Sequence, residues 1–451
     1  MRLLGLSRSR LTNVHAASVG YRFRESLFLL PVLVVVAGMA LAVITHAVDK
    51  ALAHHDTVPF TLPMDSNVAT TLLATIAGAT ITTAGVIFSL TIVSLQLASS
   101  QLSPRVMRWF IRDRLSQMVI GLLVATFVYC VLTLPTLTGE TSVPAPPISV
   151  TVAVVLTIVT IIVIIAHLDH LAHRLEVGQV VREIAAEGSA VIDAVAAATA
   201  REKPAPECNM RAPEDALRLT SPINGWVSRV DVDRLLAVLP AGATIRLETR
   251  VGAYIHRGQP VATVWPPPQR AKRLERQVAR AVAVSGSRTM QEDIDFAFRQ
   301  LVDIGLRALS SAINDPTTAV EATLRVGSLL RRLLLVPAPA RAVAGADGRI
   351  LLRPWNLDAG EYIAHGFDQL RQVAPRQPLV AATLLRVLRM LIFHVEQHDR
   401  PEHVPALREQ IDLLLEALDK ADLSPHDLKR LRAVSMNVTD PADHSYRGLT
   451  P

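Results

Sequence analysis

Three short clusters and one long stripe are the places where this sequence could do chemistry. The fourth apolar run ends in His167-Leu-Asp169-His170-Leu-Ala-His173. Imidazoles and carboxylates are zinc ligands, but helical spacing puts His167 with His170, and Asp169 with His173, on partly different faces. One helix would not close such a site, so the ordinary reading is a polar belt at a membrane interface. His54-His55-Asp56 is a still weaker cluster. A second group, Asp295, Arg299, Asp303 and Arg307, stands at successive spacings of four. That pattern makes a ladder of acid-to-base pairs along a helix, with a buried functional network as the alternative. The third is Asn314-Asp315-Pro316-Thr317-Thr318, where an Asn or Asp cap followed by Pro starts a helix; free amides there offer an anion site as the alternative. No phosphate loop, G-x-S-x-G elbow, paired cysteines or H-E-x-x-H is present, so the chain is expected not to be an enzyme and to need no cofactor and no metal.

The elements that must position these groups divide the chain in two. Half of its 451 residues are apolar, and they crowd into unbroken runs before His170. A helix needs roughly 20 apolar residues to cross a bilayer. About four segments reach that length, near 26–48, 68–98, 115–134 and 148–167, making 1–173 a transmembrane domain in contact with lipid. The first run exceeds the 7 to 15 or so apolar residues of a signal peptide and is read as a retained anchor. Arg2, Arg8, Arg10, Arg22 and Arg24 lead into it, and Arg105, Arg108, Arg112 and Arg114 separate the second and third runs. Basic residues beside spans stay on the cytoplasmic side, so both the N-terminus and the C-terminal region are expected in the cytoplasm of a cell with this protein in its inner membrane. The net charge of +6 is too small to imply a nucleic-acid partner. Cys130 lies within an apolar run and Cys208 beyond the last one, so no disulfide is expected.

The second span is about 31 residues long and rich in hydroxyls. At alternating spacings of four and three it presents Thr71, Thr75, Gly78, Thr82, Gly85 and Ser89, then Gln96, Ser99 and Ser103, interrupted only at Ile92. Small polar residues let membrane helices approach closely, so the stripe reads first as a packing seam. The alternative is a wet pathway lined by copies of this helix in a homo-oligomer. No acidic residue lies within the span to mark a proton relay.

Beyond the spans, the composition is that of an ordinary globular α+β region. A connecting helix occupies 174–203, a β module 217–268 and a helical bundle 269–436, and 437–451 reads as a disordered tail. Within the β module, SPINGWV followed by VGAYIHRGQPVATV resembles the lipoyl or biotinyl type of barrel-sandwich. The Met-Lys pair that carries the prosthetic group in such domains is missing, so the resemblance implies a small barrel without a covalent lipoyl or biotinyl group.

The chain as a whole resembles a bacterial family of predicted membrane proteins, domain of unknown function 2254. TTAGVIFSLTIVSLQLASSQLSPRVMRWFIRDR and DFAFRQLVDIGLRALSSAINDPTTAVEA carry the likeness, which runs from Tyr21 to about Leu418. It implies a multi-pass membrane protein without an established activity, and it directs attention to Gln96, Ser99, Ser100, Pro104, Arg105, Asp303, Arg307, Asn314, Asp315, Pro316 and Thr317. Two functions are compatible with these residues. One is an oligomeric channel or transporter whose second span lines the path. The other is a membrane-tethered scaffold or ligand sensor. The topology has its own test: a tag near Glu140 is expected to be reached from outside intact cells and a tag near Ala417 is not.

Overall fold

A computed structural model describes residues 29–52, 61–62, 64–101, 113–137, 145–174, 176–206, 210–268 and 270–436. The basic leader through Arg24, the His54-His55-Asp56 cluster, Ser103 to Arg112, Glu140, Cys208 and the tail 437–451 lie outside the described residues. The chain divides into two compact units, Met1–Glu176 and Val177–Pro451.

In the first unit the apolar runs form α1 (Leu29–Leu52), α2 (Ser66–Gln101), α3 (Arg114–Thr133) and α4 (Pro147–Arg174). All four are long and apolar enough to cross a membrane. With 36 residues, α2 is about 54 Å long at 1.5 Å per residue, well beyond a hydrocarbon core of roughly 30 Å. Glycine sets the approach of α1 to α3. A β-carbon on Gly38 would stand 2.9 Å from Cβ of Ala125, and one on Gly121 would stand 2.9 Å from Cα of Pro31. Such contacts replace the hydrophobic drive that lipid does not supply between helices.

Polar ties fix the same bundle. The Thr45 and Tyr129 hydroxyls are 2.9 Å apart, and the Tyr129 hydroxyl donates to the Ser149 carbonyl at 3.0 Å. Asp49, near the end of α1, accepts from the Ile148 amide at 3.0 Å and from the Ser149 amide at 2.9 Å and hydroxyl at 2.5 Å. It thereby supplies acceptors to the first turn of α4, whose amides have no carbonyl four residues back. Asp113 closes the start of α3 by accepting from the Leu115 and Ser116 amides and the Ser116 hydroxyl. The hydroxyls of Thr126 and Thr160, 3.0 Å apart, join α3 to α4 at mid-length.

The second unit opens with α5 (Val177–Thr199) and continues into a β module of β1 (Leu217–Thr220), β2 (Gly225–Val230), the short helix α6 (Val232–Val238), β3 (Thr244–Leu247), β4 (Tyr254–Ile255) and β5 (Pro260–Trp265). Then follow α7 (Ala271–Ala281), β6 (Val282–Ser285), α8 (Ile294–Ala308), α9 (Pro316–Leu333), β7 (Ala342–Ala344), β8 (Ile350–Leu352), α10 (Ala359–Val373), α11 (Pro378–Gln397), α12 (Val404–Asp419) and α13 (Pro425–Met436). One sheet has the order β1-β5-β3-β8-β7 and the other β4-β2-β6. All neighbours are antiparallel except β3 and β8. Leu219, Val227, Ile245, Ile255 and Val264 belong to one core shared by both sheets.

Three strands, β6, β7 and β8, come from beyond residue 268, so the β structure draws on a stretch that periodicity assigns to the helical bundle. β7 and β8 are three residues each, too short for an alternating pattern to emerge, and they form only because the β3 edge offers unpaired backbone. The helix α11 is also long and apolar enough to span a membrane, making five such helices among the described residues. Its Val380, Leu384, Leu388 and Leu391 are buried within the second unit, as expected of a core helix.

Asp49 ties two helices through three hydrogen bonds from a buried position. Asp49→Ala is expected to lower the stability of the purified protein by about 1–3 kcal/mol, read as an earlier thermal transition in nanodiscs. An unchanged transition would mean that the α4 amides are satisfied without it.

Candidate functional site

A cavity of about 710 Å³ opens in the second unit. Its walls come from the last turns of α5, the end of β2, the turn at Arg250–Val251, the segment Gln291–Ile294 ahead of α8, the chain leaving α9 and the first turn of α10, with Arg400–His403 at another side. Cavities of about 300–1,000 Å³ are the size that small organic ligands fill. Five arginines, Arg201, Arg229, Arg250, Arg353 and Arg400, stand in the wall among apolar side chains.

These arginines differ in what they already hold. Arg353 is buried and saturated, forming a two-pronged pair with Glu202 at 2.9 and 2.6 Å and donating to the Ala340 carbonyl as well. Arg400 stands 3.6 Å from Glu402. Among the described residues, the Arg250 side chain donates to the Val251 carbonyl alone, at 3.1 Å. The Tyr362 hydroxyl has no hydrogen-bond partner among the described residues. Burial, with help from the nearby Asp293 and Asp295 carboxylates, pushes the phenol well above its ordinary range, so it remains a proton donor. Glu292 accepts from the Val230 amide at 3.2 Å, and burial pushes its carboxyl up to about 7.

Sharing Asp293 with the cavity wall, a charged cluster joins the β module to the helices. The Arg288 guanidinium donates to Asp293 at 2.6 and 3.0 Å and to Asp295 at 2.6 Å. It sits over the rings of Trp226 and Phe296, 5.5 and 5.3 Å from their centroids. The other oxygen of Asp295 meets Nδ1 of His365 at 2.7 Å. Burial alone would raise the Asp295 carboxyl, but the His365 ring and the Arg288 guanidinium outweigh it and hold the group well below the usual carboxylate range. Asp293 also caps α8 by accepting from the Phe296 amide. Gly252 leaves room for this cluster: its φ is +82°, and a β-carbon there would stand 2.5 Å from Oδ2 of Asp293.

The helical ladder expected from spacing is therefore corrected at its first rung. Asp295 is bound by Arg288 and His365 rather than by Arg299, because the start of α8 faces the β module and a rigid guanidinium reaches the buried carboxylate from there. Asp303 and Arg307 are half-buried further along α8. The Nε atoms of Arg299 and Arg307 are buried without a hydrogen bond among the described residues. At the start of α9 the cap is Asp315, which accepts from the Thr318 amide at 3.1 Å and hydroxyl at 2.6 Å. Pro316 occupies the first turn and Thr317 is exposed, while Asn314 takes a φ of 47° and accepts from the Gln377 amide group at 3.0 Å.

In the first unit, Thr71, Thr75, Gly78, Thr82, Gly85, Ser89 and Gln96 are all exposed on α2, whereas Leu73, Ile76, Ala77, Ala84 and Ile87 on the opposite face are buried. The stripe is thus no seam within one copy. A β-carbon at Gly78 or Gly85 would meet no atom within 4 Å. The hydroxyls of Thr71, Thr75 and Thr82 donate to carbonyls four residues earlier, at 2.7–2.9 Å. Ser99 and Ser100 lie in the last turn of α2, and Pro104 and Arg105 fall outside the described residues. His167 is buried in α4, and Nε2 of His170 stands 3.4 Å from Asp113. Asp169 shares that helix with them, and the side chain of His173 lies outside the described set. Among the described residues, no three His, Cys, Asp or Glu side chains gather as a metal site.

The cavity and the Arg288 cluster escape a sequence-only inspection. Asp293 ahead of an apolar helix carries a cap signal that periodicity could have flagged. His365 carries none, since its partner is 70 residues away in the chain.

The sequence profile of the family described as predicted membrane protein (DUF2254) matches residues 24–390. Uncharacterized proteins of Mycobacterium tuberculosis (strain ATCC 25618 / H37Rv) and Mycobacterium bovis are each 29% identical over 348 residues, 76% of this chain. The chain spans 66% of the length of those relatives. No solved structure matches it.

The raised Glu292 has a consequence for stability. The folded state holds its proton between the ordinary carboxylate range, near 4.3, and about 7, where the unfolded chain has lost it, so stability falls as pH rises through that window. Glu292→Gln is expected to raise the melting temperature at pH 8 and leave it nearly unchanged at pH 4. Equal effects at both pH values would show that its charge plays no part.

Proposed function

The chain belongs to the DUF2254 family of predicted membrane proteins, and on that premise we propose that it is an inner-membrane protein whose copies assemble along the α2 stripe and enclose a hydroxyl-lined path, as a channel or transporter rather than an enzyme. In this reading α1 to α4 are the four spans, and α11 stays in the core of the second unit. The N-terminus and the second unit are cytoplasmic. The two sheets form an unmodified barrel-sandwich-like module that carries no lipoyl or biotinyl group, and no nucleic acid is bound.

The exposure of the stripe carries the proposal. Seven positions with hydroxyl, glycine or amide side groups are exposed along one face of α2, with exposed Ile81, Val86, Phe88 and Val93 beside them, while Leu73, Ile76, Ala77, Ala84 and Ile87 on the opposite face are buried. A polar face toward lipid gains nothing from the hydrocarbon, whereas a second copy of the same face offers close backbone approach and hydrogen-bond partners. Satisfied threonine hydroxyls also make a wall that water can wet without leaving donors stranded.

A second reading, a membrane-tethered ligand sensor, is favoured by the cavity of the second unit. The two are compatible, since a ligand in the soluble region is one way to bias a path through the membrane.

Both halves of the first reading can be measured. In a background lacking Cys130 and Cys208, Thr75→Cys and Thr82→Cys are expected to form disulfide-linked dimers in membranes, and Leu73→Cys is not. In proteoliposomes, ion or solute flux is expected and Gly78→Leu is expected to abolish it by placing an apolar plug on the stripe. Dimers without flux under any gradient would leave a packing seam and remove the path; no dimers at either position would remove the assembly.

A further inference from the structure

The cavity of the second unit has a donor set with no acceptor to match it. Its carboxylates are mostly engaged: Glu202 by Arg353, Asp293 by Arg288, Glu402 by Arg400, and Asp231 by the Arg234 amide at the start of α6. Asp233 is exposed. Arg250 and Tyr362 remain, half-buried neighbours in the wall, and among the described residues one holds a carbonyl and the other has no hydrogen-bond partner. A guanidinium keeps its charge under all conditions, and one that lacks a carboxylate in a partly desolvated wall is a standing demand for an anion. The wall of the cavity also carries the apolar side chains of Val195, Leu333 and Val336. The volume of about 710 Å³ is far more than an inorganic anion would fill.

We propose that this cavity binds an organic acid, its acid group received by the Arg250 guanidinium and the Tyr362 hydroxyl and its apolar body lying along Val195, Leu333 and Val336. The proposal rests on the ligand-sensor reading and names the ligand class for it. Glu292, with its proton held to about pH 7, presents no full negative charge against such a guest at neutral pH. Arg229 adds positive charge on the same side as Glu292. The acid group is the chemistry shared by a fatty acid drawn from the bilayer and a dissolved carboxylate metabolite.

The test uses the full chain in lipid nanodiscs and saturation-transfer NMR, with 4-phenylbutyrate as the acid probe, 4-phenylbutanamide as its neutral match and empty nanodiscs as the blank. Saturable binding of the acid, roughly tenfold weaker in Arg250→Gln and partly restored in Arg250→Lys, is the expected result. Ala198→Trp, at an exposed position of the cavity wall, is expected to block binding by occupying the space. Discs doped with oleate separate the two sources: competition by oleate assigns a membrane-derived acid, and its absence a dissolved one. Amide bound as tightly as acid, with both blocked by Ala198→Trp, would overturn acid recognition and leave a ligand cavity standing. Acid binding untouched by Ala198→Trp, or no binding of either probe, would overturn the cavity as a ligand site.

Discussion

A helix that begins inside lipid or inside a packed core leaves its first amides with no carbonyl to meet, and in this chain aspartates meet them. Asp113 does so for α3, Asp293 for α8 and Asp315 for α9, each from its own helix start, and the exposed Asp358 caps α10 in the same way. Asp49 does it from another helix altogether, reaching from α1 to the first turn of α4. A carboxylate there is favoured by the positive end of the helix dipole, and once placed it fixes where a helix starts. Where the cap is borrowed across the bundle, it also fixes which helices are neighbours.

The Arg288 cluster applies the same economy of charge to a different problem. A β module and a helical bundle have little reason to hold one orientation through apolar contact alone, since apolar surfaces slide. A guanidinium held by two carboxylates and covered by two aromatic rings does not slide. Removing one partner would strand the others away from water, which is why buried ionic clusters are costly to break even when they add little to net stability. The wall of the cavity is built on this clamp, so its shape inherits that rigidity.

What was legible in the sequence was what local order writes into it. Hydrocarbon-length runs gave the four long helices near their observed places, and Pro316 with its preceding Asp gave a helix start, because caps and period act over a few residues. The polar stripe on α2 could be read as a stripe but not as an exposed one, since exposure depends on which side faces α3. Asp295 looked like a rung in a helical ladder because Arg299 is four residues on, while the groups that bind it come from before the helix and from α10. β7 and β8 leave no local pattern for the same reason: each is made by the backbone edge it joins. Arg250 and Tyr362 fall beside one another only after the chain has folded, and no spacing records that.

The length of α2 leaves one more mark on how the membrane unit works. At about 54 Å the helix cannot be hidden in hydrocarbon by leaning, because the lean required, near 55°, exceeds what membrane helices adopt. A spanning α2 therefore has turns outside the hydrocarbon, and its exposed row of Thr, Gly, Ser and Gln, interrupted at Ile92, is longer than the hydrocarbon is thick. In a helix of that length, a single face has to suit two solvents.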